Sequence, residues 1–363
     1  MDIFGQRLRL ARRRAGFSMK QLSDAVNHKV SAQAISKYEN GKMLPSSSVL
    51  VSLGQALDTS LDFLMSSQIV ELKDLKFRRS SDASAKERVK AQATCIEKLE
   101  RYMSIEQILD LPSGPDKINE LCWDGLESLE ELEDRAEELR TVWRLGLDPI
   151  ASMCDLLEEK GIKVLEDSVP ESISGLACQA KVLRNENQTV KAVLVSNRIN
   201  VERKRFTLAH ELAHHLIPSI SNLQVSLEKA MDRFAGAFLV PREGLRNTVG
   251  SLRRRVTHFE IMSVKRKYGV SASCIMTRLG QVGILPAPAV RNGFRTFARS
   301  WLTTEPEPMQ RDQGFAFLEK PSRFERLVLH ALGEELISPN RAASLLAKPL
   351  PAVEQEVSGR AAS

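Results

Sequence analysis

Histidine is scarce in this 363-residue chain, with six in all, and cysteine is scarcer, with five. The cysteines, Cys95, Cys122, Cys154, Cys178 and Cys274, are odd in number and never form a Cys-x-x-Cys pair. Neither a disulfide framework nor a zinc knuckle organises such a chain, and the five read as reduced thiols in small hydrophobic positions. No run of eighteen apolar residues occurs, so no membrane span is expected. The N-terminus Met1-Asp2-Ile3-Phe4-Gly5-Gln6-Arg7 lacks the apolar core of a signal peptide, and the expected location is the cytoplasm. What remains is 27% charged and 42% hydrophobic, an ordinary globular balance with length for two or three domains.

Against that scarcity, three of the six histidines fall in Phe206-Thr207-Leu208-Ala209-His210-Glu211-Leu212-Ala213-His214-His215. On a helix, His210 and His214 lie one turn apart on the same face, so both imidazoles can reach one metal ion. Glu211 stands beside them, placed to accept a proton from water. His215 points about 100° away from His214 and is read as non-ligating. A catalytic zinc takes three protein ligands, and Glu228 is the candidate third. It opens a segment whose Met231, Phe234, Ala235 and Phe238 recur at helical spacing. Asp232, four residues on, shares its face and can accept a hydrogen bond from the far nitrogen of a ligating histidine. Asn, Cys or water in place of Glu228 stays open at this stage. So does a purely structural helix.

The net charge of +6 is unevenly placed. Residues 1–65 hold nine Lys/Arg against five Asp/Glu, which favours a phosphate backbone as partner. A helix over Phe4–Ala15 ends at Gly16. Ser18 caps a second helix, and Ser31 caps a third over Ala32–Glu39, which Asn40-Gly41 stops. Two short capped helices joined by a turn make a helix-turn-helix, whose second member reads the major groove. Gln33 suits a bidentate contact to adenine, Ala32 and Ala34 suit thymine methyls, and Ser36 and Lys37 suit bases or phosphates. Ile35 faces inward.

Ser31 to Lys42, followed by Pro45-Ser46 and Leu61-Asp62-Phe63-Leu64, resembles the Cro/C1-type (XRE) helix-turn-helix family, with a longer turn at Asn27-His28-Lys29-Val30. Leu147-Asp148-Pro149-Ile150, Ile162-Lys163-Val164, Ile173-Ser174-Gly175-Leu176, Arg205 to His214 and Asp232 to Pro241 together resemble the ImmA/IrrE metallopeptidases across residues 141–285. That resemblance implies Zn2+ on His210, His214 and Glu228, Glu211 as the catalytic residue, and a repressor-like protein as substrate.

The expected fold is α+β and mainly helical. An all-α helix-turn-helix domain over residues 1–66 joins, through a helical connector at 67–140, a zincin-like peptidase domain with a small sheet at 141–285. A C-terminal helical region at 286–350 and a disordered tail at 351–363 complete it. A stripe over Val89, Ala93, Ile96, Leu99, Met103 and Ile105 fits either a helix packed on its own chain or a coiled-coil homodimer. The acidic run around residues 125–144 reads as a solvated face, and the strand Lys191 to Ser196 as an edge that could align a peptide. The expected partners are a double-stranded DNA operator and a protein or peptide substrate. The competing expectation is a non-proteolytic repressor or antitoxin-like regulator whose zincin domain senses a metal or small ligand.

Overall fold

The computed structural model describes residues 3–65, 69–79, 84–112, 121–182, 189–221, 225–309 and 319–358. Its N-terminal bundle comprises α1 (Ile3–Ala15), α2 (Met19–Ala25), α3 (Ala32–Glu39), α4 (Ser47–Ala56) and α5 (Leu61–Met65). Ser18 and Gln21 exchange side-chain and backbone bonds in a capping box, and Ser31 accepts from the Ala34 amide. Asn27 and His28, with φ of 54° and 56°, turn the chain between α2 and α3. Gly5 lets α1 lie close on the end of α3, since a Cβ there would come within 2.6 Å of the Tyr38 carbonyl oxygen. Arg12 then clamps Glu39 with two bonds, of 2.6 and 2.9 Å.

A four-stranded sheet divides the rest. Its strands are β1 (Ile69–Arg79), β2 (Lys163–Asp167), β3 (Ile173–Val182) and β4 (Thr189–Ser196), in the order β1-β3-β4-β2. β3 runs antiparallel to both β1 and β4, whereas β2 and β4 are parallel. Period-two alternation sends Leu176, Cys178, Ala180, Ala192 and Leu194 to one face, and Val193 and Val195 to the other. The first face meets α6 (Ala85–Ile108), whose Ala91, Cys95 and Leu99 share one apolar core with Phe4 and Leu8 of the N-terminal bundle. Glu100 of α6 also holds Arg7 in a buried ion pair. The stripe on α6 therefore packs on its own chain.

The second face meets α9 (Val201–Leu216) and α10 (Leu227–Leu239), packed with α7 (Leu129–Val142) and α8 (Met153–Glu159). Beyond them come α11 (Arg242–Val249), α12 (His258–Tyr268), α13 (Ala272–Gln281) and α14 (Ala287–Arg295). Helices Arg323–Gly333, Pro339–Leu346 and Leu350–Ser358 close the chain on the end of α6. Among the described residues no helix is long and apolar enough to cross a membrane.

Several local expectations are corrected by tertiary contact. β4 is hydrogen-bonded on both sides and offers no edge to a peptide. The stretch expected as a connector over residues 67–140 is shared out: β1 joins the sheet and α7 packs in the core beneath α10. The helical region expected from residue 286 begins with α14, with Pro286 at its cap and Pro288 in its first turn, where a missing N–H goes unnoticed. The tail expected to be disordered from residue 351 is helical to Ser358, because Val353 is fully buried beside Ile105; residues 359–363 lie outside the described ones.

The acidic run is not wholly solvated either. Glu133 is 1% exposed and accepts from Arg278 at 2.8 Å, with Arg233 at 2.9 Å. Burial alone would raise its pKa, but the Arg278 hydrogen bond and charge, with Arg233, hold it below the ordinary value. Glu133→Ala should cost about 3–5 kcal/mol, because two buried guanidinium groups lose their carboxylate. A depressed carboxylate stabilises above its unfolded pKa and ceases to do so as pH falls through the folded one. In urea melts the gap between wild type and variant should therefore close below the ordinary carboxylate range, and a gap constant down to that pH would contradict this account.

Candidate functional site

Asn200 caps α9 by accepting from the Arg203 amide at 2.9 Å, and the helix then crosses the sheet back over β4 and β3. Leu208, Leu212 and Leu216 point into the core, which turns His210 and His214 towards α10. On α10, Met231, Phe234, Ala235 and Phe238 are buried, leaving Glu228 and Asp232 on the rim facing the two histidines. Ser226 fixes the start of α10 by capping Lys229, so Glu228 sits in its first turn.

These elements bring the expected ligands together. His210 Nδ1 lies 2.8 Å from Asp232 Oδ1, the geometry of an N–H donating to a carboxylate, and this leaves Nε2 facing inward. That Nε2 is 3.2 Å from one oxygen of Glu228, and His214 Nε2 is 3.5 Å from the other. The three donor atoms fall within 4.8 Å of one another. Ligands at 2.0–2.1 Å around a tetrahedral zinc stand about 3.3 Å apart, so these two separations match that edge. The close imidazoles of His210 and then His214 outweigh burial and hold the Glu228 carboxyl well below its ordinary pKa. The donor set therefore fits a divalent metal of zinc type.

Glu211, next to His210 on the helix, is fully buried against β3. A Cβ added at Gly175 would stand 2.9 Å from Glu211 Oε1 and 2.4 Å from Thr207 Cγ2, so only glycine admits this approach. The sequence placed Gly175 in a motif without giving it this role; the signal was a glycine inside a strand, where it marks a close approach. His215 faces the sheet instead, donating from Nε2 to the Ala192 carbonyl at 3.1 Å. Burial first, and then the Lys191 charge, push its pKa down to about 3.

In the N-terminal bundle, Gln33 and Lys37 are exposed on α3, while Ala32, Ala34 and Ser36 are half-buried. Ala34 rests partly on the bundle's own core, and the Ser36 carbonyl accepts from Asn40 at 2.8 Å. Of the five residues expected to contact DNA, Gln33 and Lys37 thus project furthest. Exposed Lys20, Lys29 and Lys42 add positive charge from neighbouring elements.

Fold and site together define a helix-turn-helix bundle joined to a domain built on an H-E-x-x-H helix. Residues 8–64 match the helix-turn-helix family of XRE type, and residues 157–279 match the IrrE N-terminal-like domain of the M78 peptidases. No curated protein matches the chain. The two matches place an XRE-type helix-turn-helix domain ahead of a domain similar to the M78 peptidases, a family that is typically metal-dependent.

Two measurements follow from this geometry. Purified protein should carry about one zinc per chain, lost on His210→Ala with His214→Ala, and Asp232→Ala should weaken zinc roughly 10–100-fold with both histidines intact. Chelator competition reads both, and an Asp232→Ala affinity equal to wild type would show that the carboxylate does not orient His210. For DNA, Gln33→Ala should lose about 1–3 kcal/mol on a specific operator and almost nothing on random sequence. Equal losses on both in a binding titration would make Gln33 a backbone contact.

Proposed function

We propose that the chain is a DNA-binding transcriptional regulator whose second half is a zinc-dependent endopeptidase acting on a repressor-like protein in a stress or mobile-element response. Residues 1–66 would bind the operator and residues 141–285 would carry the peptidase. The observation that supports the enzymatic reading is the convergence of His210, His214 and Glu228, with Asp232 behind His210. Zinc held by these three residues supplies Lewis acidity towards a peptide carbonyl and lowers the pKa of water beside it. Glu211 takes the proton from the attacking water and delivers it to the leaving amine. Asp232 keeps His210 in the tautomer that presents Nε2. Close packing on Gly175 holds the Glu211 carboxylate at one position rather than letting it sample several.

The test is a cleavage assay of zinc-loaded protein on candidate helix-turn-helix repressors. Glu211→Gln should slow cleavage about 10²–10⁴-fold, the usual contribution of a general base, while zinc content and operator affinity stay at wild-type levels. Cleavage at the wild-type rate would remove Glu211 from the chemistry. An unchanged promoter response in cells carrying Glu211→Gln, with DNA binding intact, would favour the metal- or ligand-sensing regulator instead.

A further inference from the structure

β1 lies outside both family matches, which cover residues 8–64 and 157–279. The peptidase domain's own sheet is therefore β3-β4-β2, and in that sheet β3 is an edge strand. β3 is also the strand that carries Gly175, against which Glu211 packs. An exposed edge beside a peptidase's general base is where an extended peptide would add as a further strand, since the unpaired backbone groups there bind any main chain. In this chain the edge is taken. Lys76, Phe77 and Arg78 of β1 pair with Ala177, Leu176 and Gly175, running antiparallel to β3 directly alongside the catalytic position.

β1 is not held uniformly. Its pairing is interrupted between Ile69 and Glu71, between Lys73 and Lys76, and again between Arg78 and Arg79. Such irregularities leave backbone groups unpaired and divide a ladder into separately opening pieces. The first piece is anchored: Leu72 is 8% exposed, opposite Ala180, in the core shared with α6. The second piece, likewise three consecutive pairs between two irregularities, is the one that reaches Gly175.

We infer that residues 76–79 of β1 are an intramolecular stand-in for substrate, a short strand that occupies the β3 edge and must peel away before an extended peptide can pair there. The inference rests on the peptidase reading and adds a control to it. Because β1 leaves the DNA-binding bundle almost directly, with α5 ending at Met65 and the strand starting at Ile69, the strand that guards the site is tethered to the domain that binds the operator. The incoming occupant is an extended segment of a protein substrate, recognised first through its main chain.

The test uses full-length, zinc-loaded protein with Phe77→Pro and Arg78→Pro made separately. Adjacent residues of an antiparallel strand turn their N–H groups to opposite sides, so one of the two substitutions deletes a bond to β3 and the other does not. That one should speed amide exchange over residues 173–177. It should also raise hydrolysis of a pool of fluorescence-quenched unstructured peptides about fivefold, the population shift expected from one net hydrogen bond. A converse variant, Phe77→Cys with Leu176→Cys in a Cys95→Ala, Cys178→Ala chain, should hydrolyse the pool more slowly when oxidised and recover on reduction. Faster exchange with unchanged hydrolysis would overturn the inference and leave the peptidase standing, as it would if peptides pair on the outer edge of β1. Equal acceleration by both prolines, or an oxidised form as fast as the reduced one, would also overturn it. No hydrolysis by any variant with zinc bound would overturn the peptidase reading itself.

Discussion

The close approach of α9 to β3 at Gly175 fixes the remainder of the peptidase half. Because no side chain intervenes, the helix settles low on the sheet, with Glu211 pressed against strand backbone and His215 reaching the Ala192 carbonyl. The same rotation carries His210 and His214 to the adjoining flank, which faces Glu228 and Asp232 of α10. Two rows of one helix are thus assigned by a single packing contact, one towards the sheet and one towards the carboxylates of α10. A larger residue at position 175 would lift Thr207 and Glu211 together, and the histidines, on the same rigid rod, would move with them.

Much of this was legible in the sequence because its signals are local. The caps at Ser18 and Ser31, the glycine and asparagine stops, and the one-turn spacing of His210 and His214 are fixed by bonds within four residues, and the structure has helices at those places. Glu228 and Asp232 could be paired with the histidines because both segments carry strong helical periodicity and each has one polar flank. What was not legible depends on partners far away in the chain. Glu133 reads as one more solvated acid until Arg278 and Arg233 meet it. β4 looks like an edge until β2 and β3 flank it, and the tail's Glu-Gln-Glu run hides that Val353 has a core to enter. The pairing of β1 with β3 spans about a hundred residues and has no local signature.

The α6 helix is the element that makes two domains into one body. It presents apolar residues to the N-terminal bundle and to the sheet simultaneously, and its buried Glu100 and partly buried Glu97 receive Arg7 and Arg14 from α1. Its far end, through Glu106, engages both Lys163 of β2 and Arg323 of the C-terminal helices. Such buried pairs contribute geometry more than stability, since each ion must be desolvated before it is paired.

That arrangement also places Cys95 of α6 against Cys178 of β3, with the sulfurs 3.4 Å apart although 83 residues separate them in the chain. Reduced, the pair is merely two small apolar groups filling the seam between the helix that seats the N-terminal bundle and the strand beneath Glu211. Its position nonetheless makes that seam a poor place to cut. Separating the halves there would expose, on both fragments, an apolar surface that the intact chain never shows to water. The halves are therefore better regarded as one cooperative unit of folding than as modules on a string.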